Sequence, residues 1–477
     1  MMKRPLALFL SLALALPVQA YNLPDLGDVA ASELSPAAER RIGEQIINQI
    51  RWQEATYLDD AEVEEYVNAL GQRLATAANH GQLSFDFFVI RDGTLNAFAL
   101  PGGYIGVHTG LLLAAESESE LASVLGHEIA HVTQRHIAQL VGKQSQSAML
   151  MMASLLVAVL AARSNSDLSQ AAIAAGQAGA IQSQLGYTRS FEREADRTGL
   201  DILARAGFDV RGMPSFFERL QRATRMYENN APAYLRTHPL TTERIADMEN
   251  RVAMLPQRQV ADSVDFSFAR AKLRANAGLA SDAVRDLQEQ LKRTPEQAAV
   301  AYGLARAQLR AGQLAEAETQ LAAVRSAQPP SPWLDSLQAE ILLARKQPAA
   351  AVDVLEAASR NFPAQRSLIY ALAQARIKAG QGAQAVQGLR RALDGHQADS
   401  RLWQLLAQAY AADDKPAAQH RAQAEVYVLR GSLPAAIDQL DLARRAGGAD
   451  FYELSAIDAR QRELKQRLFE EVRERDN

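Results

Sequence analysis

The sequence predicts a mostly α-helical fold in which a globular region with one small β-sheet is followed by an α-solenoid. Three observations carry this expectation. Apolar residues alternate only within 84–109, they recur at helical spacing on both sides of that stretch, and beyond Gly278 small and apolar residues return every 34 positions.

Composition narrows the function classes. The 477 residues are 48% hydrophobic and 22% charged, as in a folded protein with a substantial core. The 51 basic and 55 acidic side chains leave a net charge of −4, so no overall field recruits nucleic acid or anionic lipid. With no cysteine in the chain, disulfides, thiolate metal sites and cysteine nucleophiles are excluded, and any metal must be held by histidine and carboxylate.

Residues 1–20 read as a cleaved secretory leader: Lys3 and Arg4, an apolar run from Leu6 to Leu16, and Val18-Gln19-Ala20 at the cleavage site. An exported chain without cysteine fits the periplasm. Helical patterning covers 36–48 and 61–78. Phe85, Phe87 and Val89 alternate, as do Ile105 and Val107 after Gly102-Gly103, which predicts strands joined by tight turns. From Glu116 onward the pattern is helical throughout. The almost wholly apolar 147–162 and the Ala- and Gly-rich 171–181 read either as helices packed on the protein or as an interfacial membrane contact, since the first is short for a membrane span.

The repeat is countable. Gly278, Gly312 and Gly380 share a 34-residue grid with Lys346; Ala283, Ala317, Ala351 and Ala385 form a second column, Leu287, Leu321, Leu355 and Leu389 a third, and Pro295, Pro329 and Pro363 a fourth. Small Ala lets paired helices approach, Leu fills their shared core, Gly turns between them and Pro stops the second helix. The columns slip after Asp414, where Tyr427, Gly431, Ala436, Leu440 and Ala443 resume out of phase. This half resembles a tetratricopeptide array. Such an array presents a concave surface to a peptide or protein partner. The expected divisions are 21–255, a repeat array over 256–450 and a charged capping helix over 451–477.

The chemistry lies in His127-Glu128-Ile129-Ala130-His131. Two histidines four apart on a helix share a face and reach one zinc ion, while Glu128 reaches a water beside it. With 8 histidines in the chain, a chance match is expected only about 0.01 times, so the motif is a strong signal. Leu121, Val124, Leu125, Ile129 and Val132 give that helix an apolar stripe. A catalytic zinc needs a third protein ligand and an open position. Glu192 is the candidate, and Asp196, four residues further on, is placed to accept the outer N–H of a metal-bound histidine. His136 leaves the metal face and receives no role; His80, His108, His396 and His420 read as structural or exposed.

Asn96 to Gly103, the His127 motif, the Glu192–Asp196 motif and a later His238-Pro239 with Arg244 together resemble the M48 family of zinc metallopeptidases. The resemblance implies a zincin-like protease domain, one zinc ion on His127, His131 and Glu192, Glu128 as the base that activates water, and Asp196 as its outer partner or a proton donor. It also implies that a loop histidine closes the fourth zinc position at rest. His238 matches it, and its place before Pro239 favours a loop. Joined to the leader and the repeats, the resemblance implies periplasmic M48 peptidases that promote assembly of outer-membrane β-barrels and degrade stalled ones. The expected partners are then unfolded or stalled outer-membrane proteins and, through the repeats, the barrel-assembly machinery. Two readings follow: a zinc endopeptidase with chaperone-like activity, or an assembly scaffold with secondary proteolysis. A strand over 103–109 is expected to pair with extended substrate.

Overall fold

The computed structural model describes residues 35–53, 56–81, 83–141, 189–226, 233–294 and 297–476. The leader over 1–20 and the apolar stretches 147–162 and 171–181 lie outside the described residues. Among the described residues, no helix is long and apolar enough to cross a membrane.

Helices α1 (Pro36–Gln53) and α2 (Ala61–Ala78) precede a three-stranded sheet of β1 (Asp86–Ile90), β2 (Ala97–Leu100) and β3 (Tyr104–His108), in the order β1-β3-β2. No strand follows β3 among the described residues, as the periodicity predicts. The β2–β3 connection needs backbone that glycine supplies: Gly102 and Gly103 have φ of 75° and 87°. One expectation fails here. β3 is the central strand, parallel to β1 and antiparallel to β2, so its backbone groups are committed on both sides and cannot receive a substrate strand. On the outer side of β1, the Asn68 side chain of α2 bonds both the N–H and the C=O of Phe87, closing that edge as well. Among the described residues, β2 has β3 as its one strand neighbour.

Beyond the sheet come α3 (Thr109–Ala114), α4 (Glu118–Thr133), α5 (His136–Val141), α6 (Arg189–Arg205), α7 (Gly212–Met226), α8 (Ala233–Thr237) and α9 (Thr242–Ala253). Ser117 caps α4 by accepting from the N–H of Glu120, and every residue of α4 is buried. The predicted stripe of Leu121, Val124, Leu125, Ile129 and Val132 enters the main core with Phe87, Val89, Ile105 and Leu200.

Five helix pairs follow, α10 (Val264–Asn276) with α11 (Ala280–Arg293), α12 (Ala298–Arg310) with α13 (Leu314–Ala327), α14 (Pro332–Ala344) with α15 (Pro348–Asn361), α16 (Arg366–Lys378) with α17 (Gly382–Gly395), and α18 (Ser400–Ala412) with α19 (Pro416–Leu429). Their first helices begin 34 residues apart. The glycine column is the left-handed turn inside each pair: Gly278, Gly312 and Gly380 have φ of 54°, 76° and 73°. Lys346 and Asp414 adopt the same conformation without being glycine, at 61° and 53°. The slip after Asp414 is also explained. α20 (Leu433–Arg445) follows α19 directly through Gly431, and α21 (Phe451–Asp476) closes the array.

The array bends back onto α2, so its inner layer is not wholly open to a partner. Lys272 of α10 pairs with Asp60 and Glu62 at 2.8 and 2.5 Å, Arg401 of α18 pairs with Asp59 and Glu64, and the carboxylate of Glu65 accepts from the backbone N–H groups of Arg366 and Ser367 at the start of α16. A cleft of about 760 Å³ remains between the two halves, lined by Arg51, Asp86, Arg366, Asp399, Arg401 and Arg430 among others.

Candidate metal centre and active site

The site forms where α4 and α6 cross. The crossing is close because glycine faces glycine: a Cβ on Gly126 would meet the Gly199 carbonyl oxygen at 3.1 Å, and one on Gly199 would meet the His127 nitrogen at 3.0 Å. That approach sets His127 and His131 of α4 against Glu192 and Asp196 of α6. The Nε2 atoms of the two histidines are 3.0 Å apart. Glu192 lies 3.6 Å from His127 Nε2 through one carboxylate oxygen and 3.4 Å from His131 Nε2 through the other.

His238 immediately follows α8 and is outside the helix, as its neighbour Pro239 predicts. Its backbone N–H still bonds the Tyr234 carbonyl, and its ring stacks on Tyr234 at 4.6 Å. This support places Nδ1 3.4 Å from His127 Nε2 and 3.1 Å from Glu192 Oε1. One ligand atom from each of His127, His131, Glu192 and His238 lies within 4.8 Å of the others, and all four residues are buried. Adjacent donors on a tetrahedral zinc with arms of 2.0–2.1 Å are about 3.3–3.4 Å apart, so the observed spacing and the His and Glu donor set fit such an ion.

The surroundings explain the charge states. Burial alone would neutralise Glu192, yet His238 and the hydrogen bonds of all three histidines hold its carboxyl well below the usual range. Burial pushes His131 well down. His127 is also pushed down by burial, but hydrogen bonds with Asp196 and Glu192 outweigh this and raise it to about 9. Glu128 is fully buried and pushed up by that burial, with His238 Nε2 3.5 Å from its Oε1. A carboxylate buried with so little support is costly. The Ala99 N–H of β2 faces this carboxylate, so the outer edge of β2 borders the site.

Asp196 Oδ1 lies 3.0 Å from His127 Nδ1, the outer position anticipated from the sequence. Its own support was not anticipated. Arg244 of α9 donates through Nε and Nη2 to Asp196, pairs through Nη1 with Glu192 at 2.8 Å, and donates from Nη1 to the Pro239 carbonyl at 2.7 Å. One guanidinium therefore holds both carboxylates and the chain that carries His238. The sequence motif contained Arg244 but no spacing assigned it this task. His136 is a plain miss: its Nδ1 is 2.9 Å from His131 Nδ1. His80 and His396 are exposed, His420 bonds Gln439, and His108 is buried beside Thr94.

Comparison with known proteins agrees with this geometry. Residues 61–252 match the profile of Peptidase family M48, and 276–341 and 342–409 match a tetratricopeptide repeat profile. Over 452 residues, 94% of this chain and 92% of the relative, the sequence is 35% identical to the Beta-barrel assembly-enhancing protease of Escherichia coli K12. The chain belongs to peptidase family M48. As an M48 peptidase with tetratricopeptide repeats, it is a metalloendopeptidase with a buried His-His-Glu metal site. The Beta-barrel assembly-enhancing protease of Yersinia pestis is 34% identical over 94% of this chain and 93% of its own length. The M48 half alone is similar to mitochondrial metalloendopeptidase OMA1 of Arabidopsis thaliana, 32% identical over 42% of this chain and 39% of that protein.

Proposed function

We propose that the protein is a periplasmic zinc endopeptidase of unfolded or misassembled outer-membrane β-barrel proteins, that it promotes their assembly, and that its resting site is closed by His238. The observation carrying this reading is the meeting of His127, His131, Glu192 and His238 around one point, with Glu128 alongside. A zinc ion held there would supply Lewis acidity. His127, His131 and Glu192 would hold it, and Asp196, 3.0 Å from His127 Nδ1, would keep that ring in the tautomer that leaves Nε2 free to bind. Glu128 takes a proton from the attacking water and returns it to the leaving amine.

His238 obstructs both parts of this chemistry. Its Nδ1, 3.1 Å from Glu192 Oε1, would hold the metal as a fourth protein donor, while its Nε2 lies 3.5 Å from Glu128 Oε1, so the base also faces this ring. Withdrawal of the 238–239 segment opens the position and uncovers the base. The outer edge of β2 takes the role expected of 103–109: an extended chain added there lies beside Glu128 and is read through its backbone, which favours unfolded substrates. The full-length similarity to beta-barrel assembly-enhancing proteases supports the substrate class and the periplasm. The repeats supply the surface for the assembly machinery.

The test is the initial rate of cleavage of an unfolded β-barrel substrate by the mature chain. His238→Ala is expected to be faster than wild type and Glu128→Gln inactive. If none of the three cleaves, the endopeptidase reading fails for that substrate class. If Glu128→Gln still promotes assembly, the scaffold activity is separable from proteolysis.

A further inference from the structure

We infer that His136 is a positioning residue for the metal centre: it fixes the tautomer and ring orientation of His131 by accepting a hydrogen bond from His131 Nδ1. The inference rests on the reading of His131 as a zinc ligand.

In a continued helix, a residue five beyond His131 would point about 140° away from it. The chain does not continue the helix. α4 ends at Thr133, Arg135 takes a left-handed φ of 54°, and α5 starts at His136. A non-glycine residue in this region carries a cost and persists where its surroundings hold it. Here the Arg135 guanidinium bonds Glu39 of α1 through Nε at 3.2 Å and Nη2 at 2.5 Å. The corner folds the His136 ring back under His131. The ring is fully buried, stacked on Phe191 at 4.4 Å and 17°, with Nδ1 2.9 Å from His131 Nδ1 and Nε2 3.5 Å from Glu194 Oε2.

Proton placement then follows from the donor and acceptor inventory. Two imidazole nitrogens at hydrogen-bond distance share one proton. His131 presents Nε2 to the cluster of metal donors, where a lone pair is required, so its proton is on Nδ1 and His136 Nδ1 accepts it. His136 consequently carries its own proton on Nε2, facing Glu194. His127 is served differently, by the carboxylate of Asp196 backed by Arg244. The two histidines of the motif thus have unlike outer partners, one anionic and one neutral. Phe191 precedes Glu192, so the stack on His136 also steadies the start of α6.

The experiment uses the full mature chain. Zinc affinity is measured by chelator competition for wild type, His136→Asn and His136→Phe, and the ring tautomers of zinc-loaded wild type are read from nitrogen chemical shifts. Asn keeps an acceptor near the position of Nδ1, whereas Phe keeps the ring and the stack on Phe191. His136→Phe is expected to lose about 10–100-fold in affinity, with His136→Asn close to wild type. A space-filling role predicts the opposite order. Phe binding as well as wild type, or Asn as weakly as Phe, overturns the inference. So does a wild-type spectrum with the proton on His136 Nδ1, a result independent of how either variant folds. A wild type that binds no zinc sinks the metal reading and this inference together; one that binds it beside an equal Phe variant sinks the inference alone.

Discussion

Arg244 grips Asp196 with a two-point fork, Nε at 2.7 Å and Nη2 at 2.8 Å, in a site where neither side chain is more than 3% exposed. The fork holds the Asp196 carboxyl below its ordinary range although burial alone would raise it. Removing the cation leaves Asp196 and Glu192 as neighbouring buried carboxylates.

Arg244→Ala is therefore expected to destabilise the metal-free protein by about 3–5 kcal/mol. Zinc affinity should fall about 10–100-fold. Arg244→Lys restores the charge without the fork and recovers only part of either loss. Thermal melts of the metal-free chain and chelator competition read both effects; an Ala variant equal to wild type in each would show the fork to be idle.

The helix crossing gives a second expectation. At Gly199 an added Cβ meets the His127 nitrogen at 3.0 Å and the Gly126 carbonyl carbon at 3.1 Å, both backbone atoms that yield only if α4 and α6 separate. Gly199→Ala should widen the spacing between the two metal-binding halves and lower zinc affinity. Its effect on affinity should exceed that of Gly388→Ala, where the added methyl meets only the end of the Arg376 side chain at 3.1 Å.

Within the repeats, Lys346 adopts the left-handed turn that glycine fills at Gly312 and Gly380. Its side chain is exposed, so little packing is lost on removal. Lys346→Gly is expected to stabilise the array by about 1 kcal/mol, and Gly312→Ala to destabilise it by a similar amount. Denaturation midpoints for the two variants should move in opposite directions.

The docking of the array onto α2 should depend on pH in a direction fixed by its charges. Burial pushes Asp60 up, but Lys272 and the α2 N-terminal N–H groups outweigh it and hold the carboxyl below 3.8. Lys272 is pushed down by burial and lifted above 10.5 by Glu62 and Asp60. The Asp60 contribution is complete above its unfolded value of about 3.9 and is lost as pH falls through its lower folded value. The Lys272 contribution is complete below its unfolded value and is lost as pH rises through the higher folded one. Asn is an equally good helix cap, so Asp60→Asn isolates the charge. Its melting temperature should lie below wild type by a steady margin from pH 5 to 9, a gap that closes in stronger acid. A gap that widened on acidification would refute the assignment. Glu62, raised by burial and by the Asp60 charge, works in the opposite sense and is itself shifted by Asp60→Asn, so both proteins are compared in the Glu62→Gln background.

The helical classes, the 34-residue period and the two paired motifs of the metal-binding cluster were legible because each is written in local periodicity, whereas His238 came only with the resemblance to M48 peptidases. Residues four apart share a helix face, so His127 with His131 and Glu192 with Asp196 needed no tertiary information. The 34-residue columns are local in the same sense, since each pair packs on its neighbour. What the sequence hid depends on long-range geometry. Alternation finds β3 but does not say that it is the middle strand, and so it assigned a substrate edge to a strand already paired on both sides. His136 was hidden because arginine gives no sign of a left-handed corner, as glycine would have done at residue 135. A motif of histidine, five residues on, with an acidic partner upstream in α1, is visible only once Glu39 and Arg135 are seen to meet. The occupied inner layer of the array was hidden for the same reason: Glu65 and Arg366 are 301 residues apart.

That separation sets an order of events. Synthesised from its N-terminus, the chain presents Asp59, Asp60, Glu62, Glu64 and Glu65 long before Lys272, Arg366 and Arg401 exist to receive them. Contacts closing loops of this length form slowly. The acidic start of α2 must therefore wait in water while its own catalytic half assembles around the sheet, and the last contacts to settle are those between halves. A peptidase built this way is completed from its far end, so a chain cut short before Arg366 keeps Lys272 but lacks the other two counterparts of its acidic helix start.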